Sequence, residues 1–205
     1  HVAELAGIKR QVRIVPFRGE YYMLNDHACH LVNNLIYPVP DPRFPFLGAH
    51  FTRTIGGAIE AGPNAVLGWA REAYRKINVN PKELLNTLTY PGFIRFALEN
   101  WMIGFNEINR SFRKRVFVKD LQKMIPEIKS SDLMTGGAGV RAQAIGRDGE
   151  LIDDFAFEFT EKSIHVLNAP SPGATSSLVI GKYIANLAIE KLTSRLKTIY
   201  KIKSN

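Results

Sequence analysis

The chain has 205 residues, of which 45% are hydrophobic and 22% charged, the balance of a globular protein large enough for one sizeable domain or two small ones. A net charge of +8 suits an anionic partner: an acidic metabolite, membrane headgroups or nucleic acid. The single cysteine, Cys29, excludes an intrachain disulfide and a cysteine-based metal centre, and no apolar run approaches the roughly 18 residues of a spanning helix.

His1 falls inside a helical pattern that Gly7 ends, as expected of a chain cut from a longer one, and no secretory leader is expected. Val12 to Leu24 reads as a strand that Pro16 and Gly19 bend or confine to an edge. Residues 25–34 read as a turn, in which Cys29 lies between His27 and His30 with no nucleophile motif and hence an incidental role. Leu35 to Val39 reads as a second strand, closed by the proline-rich loop Pro38 to Pro45. Gly48 to Leu67 reads as a hairpin turning at Ile55-Gly56-Gly57 and interrupted by Gly62-Pro63-Asn64.

Residues 81–125 have helical period. Leu84, Leu85 and Leu88 form one apolar set, Phe93, Phe96, Ala97 and Met102 another, and Val116, Leu121 and Met124 a third. Asn80-Pro81 makes a helix start, and Pro91 and Pro126 punctuate the run. Gly136-Gly137-Ala138-Gly139 reads as a turn, followed by strands at Val140–Ile145, Phe155–Phe159 and Ser163–Leu167. A loop at Asn168–Gly173 then opens a long helix from Ala174 to about Thr198. This order predicts an α+β fold: a mixed or antiparallel sheet with covering helices, then further strands and one long helix.

Four pieces carry chemistry. Asn168-Ala-Pro-Ser-Pro-Gly-Ala-Thr-Ser-Ser177 leads a strand through a tight loop into a helix start, which reads either as a simple capped start or as an anion site built from free amides and the helix dipole. Arg141, after the glycines, is placed to fork a carboxylate or to pair with Asp153 or Asp154. In Gly48-Ala-His-Phe-Thr-Arg53, His50 reads as a base or as a structural strand histidine. The stretch Arg110–Lys123, which carries Arg113, Lys114, Arg115 and Lys119 and whose one acid is Asp120, reads as a solvated helix face before a nucleic-acid face. Gly137–Ala142 fits G-x-G-x-x-A formally, but it opens a strand rather than a helix and so is not a dinucleotide loop.

Ile14-Val-Pro-Phe-Arg-Gly-Glu-Tyr-Tyr22, Ile36-Tyr-Pro-Val-Pro-Asp-Pro42, Gly62-Pro-Asn-Ala-Val-Leu67, Gly139-Val-Arg-Ala-Gln143 and the Asn168–Ser177 block together resemble the L-2-hydroxyglutarate oxidase family, within the wider D-amino-acid-oxidase-like flavoprotein group. The resemblance implies residues 1–11 as the end of an FAD-domain helix, 12–134 as a substrate-binding domain, and 135–205 as a segment returning to the FAD-binding domain. It implies FAD as cofactor, a 2-hydroxyacid substrate, and oxygen or a respiratory quinone as electron acceptor. A cytoplasmic location follows, with peripheral contact at the inner face of the membrane and no nucleic acid. Arg141 would grip the substrate carboxylate, with Arg53 and Asn64 as further substrate-side residues. Gly173, Ala174, Thr175, Ser176 and Ser177 would lie at the flavin ring. His50 is the expected base and His165 its rival. Two other readings stay open: a flavoprotein acting on another hydroxyacid or an amino acid, and a non-catalytic basic module that binds polyanions.

Overall fold

The computed structural model describes residues 2–9, 11–39, 48–169 and 171–203. A short helix α1 (Val2–Leu5) precedes a 13-residue strand β1 (Val12–Leu24), a 3-10 turn at Asp26–Leu31, the hairpin β2 (His50–Arg53) and β3 (Ile59–Gly62), and the two-residue strand β4 (Val66–Leu67). Four helices follow: α2 (Pro81–Leu88), α3 (Pro91–Glu99), α4 (Trp101–Phe112) and α5 (Lys114–Leu121). The chain then forms β5 (Leu133–Gly146), β6 (Leu151–Ile152), β7 (Ala156–Phe159), β8 (Ile164–Asn168) and α6 (Ser177–Lys203). Two compact units result: Gln11–Leu151, and His1–Arg10 with Ile152–Asn205.

In the larger unit the sheet order is β2-β3-β1-β5-β6, with β4 also on β1, and the pairings of β1 are all antiparallel. The α+β expectation therefore holds. β1 is central rather than an edge, although it contains Pro16. The β4 ladder ends there, with Gly68 N donating to Pro16 O at 2.8 Å, so the donor that proline lacks falls where pairing stops.

The expected strand at Leu35–Val39 is reduced to one bridge, Ile36 to Phe51, since Pro38 has no N–H to extend a ladder. From Pro40 to Leu47 the expected proline-rich loop lies outside the described residues, as does Pro170 of the later loop. The hairpin at Ile55–Gly57 forms as expected, with Thr54 N donating to Ala58 O at 2.8 Å. The expected glycine turn at 136–139 is instead the interior of β5. β1 bulges between Glu20 and Tyr22, and a Cβ on Gly136 would come within 2.8 Å of Tyr21 O, so glycine is needed for close approach rather than for turning.

The helical period of 81–125 resolves into four helices. Asn80 caps α2 by accepting from Glu83 N at 3.2 Å. Asn100, between α3 and α4, has φ −113° and ψ 21°, and this break shifts the helical phase. Phe93 is buried on α3, but Met102 points to solvent at 63% exposure, as do Leu85 and Leu88 on α2. On α5 the buried set is Phe117, Val118 and Leu121 rather than Val116.

One core cluster joins Leu24, Val32, Phe51, Ile59 and Leu133 to Phe117, Leu121 and Ile128. A second joins Val15, Phe17 and Ile145 to Tyr90 and Phe93. Each such fully buried side chain contributes roughly 1.5–3 kcal/mol of transfer free energy. In the smaller unit β7 and β8 pair antiparallel, and Phe155 and Phe157 pack on Tyr183 of α6 at 5.0 and 6.1 Å between ring centroids.

Candidate functional site

The segment Pro16-Phe-Arg-Gly-Glu20 builds a buried polar centre. Arg18 Nη2 donates to Glu20 Oε1 at 2.8 Å, and Lys76 Nζ reaches the same oxygen at 3.3 Å. Asn64 Nδ2 donates to Glu20 Oε2 at 2.8 Å, while Asn64 Oδ1 accepts from Glu20 N at 2.8 Å. Arg18 is 8% exposed, and its Nε has no hydrogen-bond partner among the described residues. A Cβ on Gly19 would sit 2.7 Å from Pro63 Cβ, so glycine there lets the loop after the cis Gly62–Pro63 bond lie against β1. Asn64, expected on the substrate side, uses both ends of its amide on Glu20 and fastens this loop. Neither Arg18 nor Glu20 nor Lys76 was an expected site residue. The Pro-x-Arg-Gly-Glu string was a signal for the first two, whereas Lys76 comes from a distant loop and had none.

His50 opens β2 opposite Gly62. Its Nδ1 lies 2.9 Å from Gly48 O, and its ring stacks on Tyr37 at 4.4 Å. Since a carbonyl can only accept, Nδ1 carries a proton, which in the neutral ring leaves Nε2 as the acceptor. Nearby, burial pushes the Tyr21 hydroxyl above its ordinary value, helped by Glu60 and Tyr37. Arg53 directs its donors to four main-chain carbonyls: Asn33, Gly57, Cys29 and Val32, the last at 2.6 Å. It ties the end of the 3-10 turn to the hairpin.

Arg141 lies mid-way along β5, opposite Phe17, and is partly exposed. Three strand spacings separate β2 from β5, and about four residues of β1 separate Phe17 from the position beside Gly62. At ~4.8 Å between strands and ~3.3 Å per residue, the backbones of Arg141 and His50 are on the order of 20 Å apart along the sheet. A small hydroxyacid spans only about 6 Å by ordinary bond lengths. The sheet therefore does not bring these two together.

In the smaller unit His165 stands on β8, its Nε2 2.7 Å from Ser163 Oγ. β8 ends at Asn168, whose Nδ2 donates to Ile152 O at 3.1 Å and Asp154 O at 2.8 Å. The helix expected from Ala174 begins instead at Ser177. Ser176 N turns back to Pro172 O at 3.1 Å and Ser177 N to Ala174 O at 3.3 Å, so the first helical bond is Ile180 N to Ser176 O at 2.9 Å. Ser176 is thus the N-cap, and Gly173, Ala174 and Thr175 form an exposed turn before it.

An exposed turn with hydroxyls at a helix start suits the polar, electron-rich edge of a flavin ring. Gly137–Ala142 does not suit the pyrophosphate. Ala138 to Ala142 register with Glu20 to Pro16 inside the sheet, so those amides form no loop. The described residues thus fit the ring end of FAD and hold no cradle for its phosphates.

A family model described as DAO, FAD dependent oxidoreductase, matches residues 1–187. The chain is 55% identical over 180 residues to an L-2-hydroxyglutarate dehydrogenase of Indibacter alkaliphilus, covering 88% of this chain and 45% of that protein. It is 46% identical over 197 residues to the mitochondrial L-2-hydroxyglutarate dehydrogenase of Nematostella vectensis, covering 94% of this chain and 43% of that protein. It is also 46% identical over 190 residues to the mitochondrial L-2-hydroxyglutarate dehydrogenase of Homo sapiens, covering 90% and 41%. The chain spans less than half the length of these curated relatives.

Proposed function

The chain belongs to the FAD-dependent oxidoreductase family, and on that premise we propose that it is part of an enzyme oxidising L-2-hydroxyglutarate to 2-oxoglutarate. The supporting observation is its likeness, over 88% or more of its length, to proteins named for that substrate. FAD, when bound, supplies the acceptor for the hydride leaving C2. The residues of this chain bind, orient and move the proton.

Arg141 forks the substrate carboxylate as a bidentate donor pair. The turn Gly173–Thr175, with Ser176 and Ser177, faces the flavin ring, where the helix start favours negative charge. The proton of the C2 hydroxyl goes to a histidine. His165 takes this role, with Nδ1 accepting while Ser163 holds Nε2. His50 is the second candidate, with Nε2 accepting; the separation of roughly 20 Å between its backbone and that of Arg141 along the sheet counts against it. Arg53 and Asn64 act through structure, because their polar atoms serve carbonyls and Glu20. The electrons pass on to oxygen or a respiratory quinone, from a protein in peripheral contact with the inner face of a membrane. No helix among the described residues is long and apolar enough to cross one.

The test is anaerobic reduction of the full-length, flavin-loaded protein, followed by its visible spectrum. Bleaching by L-2-hydroxyglutarate ahead of its D isomer, other hydroxyacids and amino acids is expected. A better substrate elsewhere in that panel overturns the substrate, and no bleaching by any of them overturns the reaction. Arg141→Met should lower kcat/KM on the order of 10- to 100-fold, mainly through KM. His165→Asn should lower kcat while His50→Asn leaves it within about twofold, and the reverse pattern exchanges the two roles.

A further inference from the structure

The β7–β8 hairpin changes face just before the turn that leads into α6. Phe157 pairs with Val166 and Glu158 with His165, but Ala156 pairs with Asn168, so β8 carries one extra residue, Leu167. Residues paired across strands share a face of the sheet. Asn168 therefore shares a face with Ala156, Glu158 and His165, whereas plain alternation from Val166 would set it on the other. Phe155 and Phe157 pack on Tyr183 of α6 from that other face. Bulges beside functional sites re-aim side chains, and this one sets Asn168 on the side of His165.

The Asn168 amide is fixed in direction. Nδ2 donates to Ile152 O at 3.1 Å and to Asp154 O at 2.8 Å. A carbonyl only accepts, so these contacts assign the nitrogen to that side and use both of its hydrogens. The gripped segment is itself held, with Phe155 N donating to Asp154 Oδ1 at 2.6 Å. Oδ1 of Asn168 is left over, accepting from no donor among the described residues, and the residue is partly exposed.

The turn Gly173–Thr175, with Ser176 and Ser177, supplies amides and hydroxyls, which suit the carbonyl oxygens of a flavin ring. The pyrimidine edge of that ring is not uniform, however. Its N3–H is a donor set between two carbonyls. Donors alone leave N3–H unmet, and a buried unmet N–H costs its full desolvation. The hydroxyls of the Asn168–Ser177 block carry hydrogens of their own and rotate. Asn168 Oδ1 is a pure acceptor whose rotamer is set before a ligand arrives, so binding costs it little entropy.

We infer that Asn168 binds the flavin ring, with Oδ1 accepting from N3–H and the amide fork to Ile152 and Asp154 holding it in place. This rests on the reading that the turn faces the flavin ring, and it is independent of which histidine takes the proton.

The test titrates the full-length apo-protein with FAD and with 3-methyl-FAD, in which a methyl group replaces the N3 hydrogen, and reads binding by flavin fluorescence. The wild type should bind 3-methyl-FAD about tenfold or more weaker than FAD. Asn168→Ala should bind FAD about tenfold weaker and discriminate between the two flavins by about twofold or less, because the acceptor is gone. Asn168→Asp keeps acceptor oxygens and shape but cannot donate to the two carbonyls. Its FAD dissociation constant should also rise about tenfold, with an unchanged circular dichroism spectrum. Equal affinity of the wild type for the two flavins overturns the inference and needs no variant. So does full discrimination kept by Asn168→Ala, or wild-type FAD affinity in Asn168→Asp. In each of these cases FAD still binds and the cofactor reading stands, whereas a wild type that binds neither flavin overturns both.

Discussion

Replacing Glu20 by Gln isolates what the buried polar centre contributes, because the shape is kept and only the charge is removed. Glu20 receives three donors: Arg18 at 2.8 Å, Asn64 at 2.8 Å and Lys76 at 3.3 Å. Arg18 and Glu20 have side chains only 9% and 17% exposed, so neither ion regains full hydration when its partner is lost. Breaking a buried pair by removing one member typically costs 3–5 kcal/mol. Lys76 is 47% exposed, and its share is screened toward the surface value of about 0–1 kcal/mol. The new amide also brings two N–H donors against a site of donors, and Arg18 already has an unpartnered Nε. The expected loss is about 3 kcal/mol, the lower end because Glu20 is not fully sealed. Trp69 and Trp101 both lie in the Gln11–Leu151 unit, so urea unfolding followed by tryptophan fluorescence reads that unit, with an unchanged slope. Arg18→Met combined with Glu20→Gln should recover at least about 1.5 kcal/mol of the summed single losses. A loss below about 1 kcal/mol for Glu20→Gln, or additivity in the double variant, refutes the buried-pair account.

Three further perturbations follow from single contacts. Gly19→Ala places a Cβ 2.7 Å from Pro63 Cβ and should lower stability by roughly 1–3 kcal/mol in the same titration; an unchanged midpoint would mean the Pro63 loop moves freely. Asn80→Ala removes the acceptor for Glu83 N and should cost about 1 kcal/mol, seen as faster amide exchange in the first turn of α2. The Lys129 N–H, with His27 and Ser131, holds the Asp132 carboxyl below its ordinary 3.8 against the opposing effect of burial. A lowered folded value means this stabilisation is present above the unfolded value and lost as pH falls through the folded one. The stability gap between wild type and Asp132→Asn should therefore shrink as pH drops from about 5 to about 2, and a gap constant with pH would contradict the assignment.

Local rules made much of this protein legible from residues alone. Gly56-Gly57 turned the hairpin, Asn80-Pro81 started α2, and the runs Val12–Leu24 and Val140–Ile145 marked β1 and the second half of β5, because turn chemistry, capping and strand composition act within a few residues. The short strings Pro-Phe-Arg-Gly-Glu and Asn-Ala-Pro-Ser-Pro carried the family, as similarity along the chain bears out. Tertiary structure decided the rest. Gly136–Gly139 is strand rather than turn because this stretch pairs along β1, which at Gly136 passes too close for a side chain. Met102 faces solvent because one residue, Asn100, resets the helical phase. Arg53 and Asn64 are ties rather than open donors because their partners come from elements up to 44 residues away. Lys76 meets Glu20 across an even longer gap. Donor and acceptor types can be read from a string, but their partners are set by register and packing, which depend on where distant segments meet.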